Sequence, residues 1–103
     1  MNFIKLIIFC SLNYFENSYD NFGDELLDAL TKFSPKSLVF MAISGDWEYS
    51  IVALERFFES FKHRCLQYFV TIGYYAEYYK LTTRKYVKKG VIKSAYVGNE
   101  FLE

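Results

Sequence analysis

The sequence predicts an α/β fold of successive β/α units, with a parallel sheet in sequence order and all helices on one side. Three observations carry this expectation. Short apolar runs of strand length alternate with segments of helical period, and strand centres fall near residues 7, 41, 69 and 94, about 25–34 residues apart. No linker or low-complexity tract divides the 103 residues. Because strand-helix-strand crossovers are almost always right-handed, consecutive strands joined in this way lie parallel and their helices share a face. Residues 1–103 therefore read as one array of about three β/α units plus a terminal strand.

Phe3 to Ser11 is a β-branched and aromatic run, read as the first strand, and a polar loop through Asn13, Asn17, Asp20 and Asn21 follows it. From Asp24, the residues Leu26, Leu27, Leu30 and Phe33 share one helical face, and Ser34-Pro35 stops that helix because the residue before a proline is pushed out of helical geometry. Ser37 to Ser44 is the second strand. Ser50 caps a second helix in which Ile51, Leu54, Phe57, Phe58 and Phe61 recur at three- and four-residue steps, with Glu55, Arg56, Glu59 and Lys62 outside. Lys62, His63 and Arg64 fall in its last turn, where cations suit the helix dipole. Cys65 to Ile72 is the third strand, a helix from about Ala76 to Lys89 ends at Gly90, and Val91 to Val97 is the fourth strand. Gln67 and Thr71 are polar, so alternation directs Leu6, Ile8, Met41, Ile43, Tyr68 and Val70 toward Leu27, Leu30, Leu54, Phe57, Phe58 and Tyr86.

Aromatic residues make up 21% of the chain, more apolar surface than a domain of this size easily hides, and such rings bury most of their area against one another or against a partner. Net charge is zero, which removes the whole-chain argument for nucleic acid. The charge is nonetheless uneven: residues 1–60 carry nine acids and four bases, residues 61–103 three acids and eight bases. Cys10 and Cys65 lack C-x-x-C spacing and sit in apolar runs, so both are expected as buried, reduced thiols. Residues 1–12 have the look of a weak leader, but the apolar run is short, only Lys5 is basic and no small-x-small cleavage pattern follows. The expected compartment is the cytoplasm or nucleus. No run of about 18 apolar residues occurs, so no membrane partner is expected.

Leu38-x-x-Met41-x-Ile43-x-x-Asp46 fits a degenerate leucine-rich-repeat pattern, which Phe3-x-x-Leu6-x-Ile8-x-x-Ser11 and Cys65-x-x-Tyr68-x-Val70 match more loosely. Trp47-Glu48-Tyr49-Ser50, Ala53-Leu54-Glu55-x-Phe57-Phe58-Glu59, Lys62-x-Arg64, and Tyr86 leading into Gly90-Val91-Ile92-Lys93 add to it. Over roughly residues 36–97 the chain resembles the C-terminal part of the leucine-rich-repeat region of fungal F-box-type proteins. That resemblance implies a curved solenoid and a role in presenting substrates to a ubiquitin ligase. The F-box that docks the ligase lies at the N-terminus of such proteins, whereas this chain begins at Met1 within the repeats. Ligase docking is accordingly not carried over, and the chain is read as a truncated or split relative whose first strand, left without a neighbour, can self-associate.

Candidate chemistry has a plainer reading at each position. Asp24, Glu25 and Asp28 are read as first-turn acids favoured by the helix dipole rather than as metal ligands. His63 stands between Lys62 and Arg64, with neither a nucleophile nor further ligands beside it, so no catalytic residue, metal or cofactor is expected. Gly45 and Gly73 are isolated, and no phosphate-binding glycine motif occurs. Lys80, Arg84 and Lys88 form a basic helix face with Tyr78, Tyr79 and Tyr86 interleaved, read as a solvated outer surface. Trp47, Tyr49, Tyr74 and Tyr75 follow strand ends, read as packing over the core.

The expected function is non-catalytic protein binding through the strand residues that face away from the helices. These are Lys5, Ile7 and Phe9, then Phe40, Ala42 and Ser44, then Gln67, Phe69 and Thr71, with Phe9, Phe40 and Phe69 as anchors. The alternative is a small closed α/β domain binding a nucleotide, nucleic acid or small ligand at the strand ends or the basic helix. Strand order separates the two, since a doubly wound domain reverses direction at a switch point.

Overall fold

The computed structural model describes residues 4–10, 22–45 and 48–103. Five strands and three α-helices follow in the order β1 (Ile4–Cys10), α1 (Phe22–Phe33), β2 (Leu38–Gly45), α2 (Ile51–Glu59), β3 (Leu66–Ile72), α3 (Lys80–Lys88), β4 (Ile92–Val97) and β5 (Glu100–Leu102). A single 3-10 turn, Ala76–Tyr79, leads into α3. The strands form one sheet in the order β1-β2-β3-β4-β5, with no reversal of direction at a switch point. β1 to β4 are parallel, and β5 turns back antiparallel on β4.

The same spacing of buried residues recurs on three strands. Leu38, Met41 and Ile43 on β2, Leu66, Phe69 and Thr71 on β3, and Ile92, Ala95 and Val97 on β4 are all buried. Each set steps by three residues and then by two. Register keeps them in file, with Met41 beside Phe69 and Phe69 beside Ala95, then Ile43 beside Thr71 and Thr71 beside Val97. Over this layer lie Leu27 of α1, Ala53, Leu54, Phe57 and Phe58 of α2, Phe61 just beyond it, Tyr79, and Tyr86 of α3, in one continuous core. Phe58 packs edge-on to Phe69 at 5.0 Å and meets Tyr86 at 5.3 Å. All described helices thus cover one face of the sheet.

Local chemistry sets the element ends. Ser50 caps α2, its hydroxyl accepting from the Ala53 amide at 3.1 Å, and the Asp24 carboxylate accepts from both the amide and the hydroxyl of Ser50. Asp24 thereby joins the start of α1 to the start of α2, a tie beyond the dipole role expected of it. Gly23 makes that approach possible, because a Cβ there would lie 2.3 Å from the Glu48 carbonyl oxygen. Gly90, at φ +82°, closes α3 as expected of a C-cap glycine.

Four expectations need correction. The described residues form one small compact α/β domain rather than an extended solenoid, with a radius of gyration of 13.0 Å, the size of an ordinary globular domain of this length. Its sheet is mixed rather than wholly parallel, because Gly98 at φ +67° supports a two-residue turn that folds β5 back onto β4. α2 ends at Glu59, and tight turns take over, so Lys62, His63 and Arg64 lie beyond the helix. Arg64 lies over the Phe61 ring at 4.2 Å and donates to the Pro35 carbonyl and the Ser34 hydroxyl. Cys65 is a half-buried free thiol outside β3, at φ +57°, not a buried strand residue. The Cys10 side chain, Trp47 and the polar loop after β1 lie outside the described residues.

Candidate protein-binding face

Alternation along the strands leaves a second surface on the side of the sheet that no described helix covers. Register arranges it in rows: Lys5, Phe40, Tyr68 and Ser94 in one, and Ile7, Ala42, Val70, Tyr96 and Phe101 in the next. A third row includes Ser44 and Ile72. Side chains here are half-buried or exposed, apart from the small Ala42 between its neighbours; Ile7 is 67% and Phe101 51% exposed. Phe40 and Tyr68 have ring centroids 5.5 Å apart, and Tyr68 and Phe101 are 6.3 Å apart. The Lys5 ammonium lies 5.8 Å from the Phe40 centroid. A strip of three rings therefore crosses the sheet from β2 to β5, bordered by a cation at β1.

The expected binding residues divide on this geometry. Phe40 and Ser44 lie on the open face. The Phe9 side chain lies outside the described residues, as do those of Leu6 and Ile8. Gln67 is exposed at the start of β3. Phe69 and Thr71 are buried under the helices, at 0% and 4% exposure, so the expected phase of the third strand was off by one residue. Tyr68 and Val70, expected inward, take the open face instead. Thr71 can turn inward because its hydroxyl has a buried partner, the Tyr49 hydroxyl at 3.2 Å. Extending the Leu38-x-x-Met41-x-Ile43 spacing to Leu66-x-x-Phe69-x-Thr71, rather than starting at Cys65, gives the correct phase and brings out Tyr68, Val70 and Ile72. Phe101 was missed because β5 carries no signal beyond Gly98-Asn99, and Tyr96, on the expected fourth strand, comes out only when that strand is phased as Ile92-x-x-Ala95-x-Val97.

Near the C-terminal end of β3, on the side where small ligands settle in open α/β sheets, Tyr49 and Tyr79 are buried. Tyr49 and Tyr79 stack at 4.1 Å with ring planes 9° apart. The Tyr79 hydroxyl accepts from the Tyr49 amide and donates to the Tyr49 carbonyl, both at 2.8 Å. Burial raises the Tyr49 phenol well above its ordinary range and pushes Tyr79 up to about 12, so both stay neutral at physiological pH. Tyr74, by contrast, is 80% exposed.

The basic helix face is largely paired. Lys80 meets Glu77 at 2.9 Å and Glu100 at 3.1 Å, and Arg84 meets Glu100 at 3.1 Å. Lys85 and Lys89 lie near Glu55 and Glu59 and over the Tyr86 ring. The Tyr86 hydroxyl donates to Glu59 at 2.8 Å, and that bond is the main cause holding the Glu59 carboxyl below its usual range. Among the acids, Asp28 forms a bidentate pair with Arg56 at 3.0 Å, a tie between helices. Among the described residues, no cluster of His, Cys, Asp and Glu could hold a metal ion, and no helix is long and apolar enough to cross a membrane. Comparison with protein-family models, with curated proteins and with solved structures finds no match to this chain.

Proposed function

We propose that the chain is a protein-interaction module of β/α repeat type, without catalysis of its own, whose binding surface is the open sheet face. The observation that supports this best is the aromatic strip Phe40, Tyr68 and Phe101, held by a rigid sheet on the side away from the helices. Its side chains gain nothing from the core and have ring area to bury against a partner. The recurring three-then-two spacing of buried residues on β2, β3 and β4 supports the repeat reading, and with it a use similar to substrate recruitment by the fungal F-box-type proteins the sequence resembles. Pairing of the basic helix and the buried Tyr49–Tyr79 stack near the end of β3 weigh against a nucleotide or nucleic-acid site.

Central aromatic anchors commonly contribute about 2 kcal/mol or more to binding. Proteins retained by the immobilised chain should therefore be lost with Phe40→Ala and Tyr68→Ala and kept with Lys88→Ala, on the exposed side of α3. Loss with Lys88→Ala but not with the ring variants would move the function to the helix, and equal retention by all would remove it from the sheet.

A further inference from the structure

Two connections, the one leading from α1 into β2 and the one leading from α2 into β3, meet at a single cation. Arg64 donates from Nη2 to the Ser34 hydroxyl at 2.9 Å and from Nη1 to the Pro35 carbonyl at 2.7 Å, and its guanidinium lies 4.2 Å from the Phe61 centroid. These contacts hold the guanidinium fork in one place, yet none of them carries a negative charge. The other two arginines, Arg56 and Arg84, each reach a carboxylate, whereas among the described residues Arg64 reaches none. Burial holds its pKa below the usual value, as expected of a cation without a compensating anion. The connections themselves supply no acid: residues 29–45 and 60–76 contain neither Asp nor Glu, while Lys32, Lys36, Lys62 and His63 stand beside the pair in sequence.

A receptor shaped for an oxyanion thus points at a hydroxyl. Ser34 is half-buried, but Lys32, Phe33, Pro35 and Lys36 around it are exposed, Phe33 by 74%, so the segment is open to an enzyme. Pro35 keeps Ser34 from continuing α1. We propose that Ser34 is a phosphorylation site whose phosphate is captured by Arg64, fastening the first β/α unit to the second. In the transfer the Ser34 oxygen attacks the γ-phosphorus of ATP held by a protein kinase. The bond from that phosphorus to the bridging oxygen breaks, ADP leaves, and the hydroxyl proton passes to the kinase's base. The new phosphate oxygens lie one bond beyond the atom that Arg64 already meets, and a guanidinium fork matches two of them. The dipole at the C-terminal end of α1 opposes a negative charge here, so the sign of the effect depends on Arg64. With Arg64 the phosphate tightens the junction, and without it the phosphate loosens the junction. Ser34 and Arg64 lie in connections outside the open sheet face, so this device works whatever that face binds.

The folded chain incubated with ATP and a proline-directed serine kinase should gain one phosphate that is absent from Ser34→Ala. A folded chain that gains none at Ser34 overturns the site. Phosphoserine placed at position 34 by semisynthesis tests the capture. An uncaptured phosphoserine takes up its second proton at about pH 6. Beside Arg64 the phosphorus NMR titration should fall to about 5, a tenfold change in proton affinity, and should return to about 6 in Arg64→Gln. Phosphate should raise the melting midpoint of the wild-type chain and lower that of Arg64→Gln, each compared with its own unmodified form so that the variant's basal stability cancels. A titration that stays at about 6 in the wild-type chain overturns the capture even where Arg64→Gln does not fold. Equal melting shifts in the two backgrounds overturn it as well.

Discussion

The two faces of the sheet are built from neighbouring residues of the same strands, and both are aromatic, yet their fates differ. Phe69 is fully buried against Phe58, whereas Tyr68, one residue earlier, lies half-buried in a strip that reaches Phe101. Polarity does not sort them. Thr71 goes inward and Val70 outward, against simple hydropathy, because the inner position offers Thr71 the Tyr49 hydroxyl and register with Ile43 and Val97. Position in the repeated spacing decides the side, and side-chain chemistry adapts to it.

The sharpest way to break this contrast is to truncate a ring on each face. Phe69→Ala should lose about 3–5 kcal/mol in chemical denaturation, since it removes fully packed atoms and leaves a cavity. Phe40→Ala on the open face should lose no more than about 1 kcal/mol, and comparable losses at the two sites would mean that the open face is covered in solution. Next in size is Tyr79→Phe, which keeps the stacked ring but strips the Tyr49 amide and carbonyl of their buried partner, at about 1–3 kcal/mol. Thr71→Val tests whether the inward threonine depends on its hydrogen bond. It should lose about 1 kcal/mol, and a neutral result would show that position alone suffices.

Alkaline titration sharpens the contrast without mutation. The folded-state values of Tyr79 and Tyr86 are both raised to about 12 against an ordinary 10, so the folded chain holds these protons more tightly than the unfolded one. The resulting stability is complete below pH 10 and is lost as pH rises from 10 toward 12. Urea midpoints measured across that interval should fall, and should fall less steeply in Tyr79→Phe.

The elements were legible where period and breakers agreed. Leu27, Leu30, Leu54, Phe57 and Phe58 announced the helices, and Pro35, Ser50 and Gly90 marked their ends. Half of the candidate site was legible as well, since the Met41-x-Ile43 step on β2 puts Phe40 and Ser44 outside. β3 misled because its inward polar residue is satisfied only by Tyr49, 22 positions away, a pairing that no local pattern records. The ties Asp24 to Ser50 and Arg56 to Asp28 are equally long-range and equally silent in the sequence.

The turn at Gly98 also bears on how the chain finds its fold. Ala95 and its β5 partner Leu102 are seven positions apart, whereas Phe69 and Ala95 are 26 apart and Met41 and Phe69 are 28 apart. Loop closure costs more entropy as the span lengthens, so the β4-β5 hairpin is the cheapest pairing in the sheet and can form in microseconds. A hairpin alone is marginal, but this one presents the open side of β4 as an edge on which β3, then β2, can dock with their helices. Assembly should run from the C-terminal strands toward β1, opposite to the direction of synthesis. Pulse-labelled hydrogen exchange should find the amides of Ala95 to Leu102 protected before those of β2, and simultaneous protection would show that the sheet forms in one step.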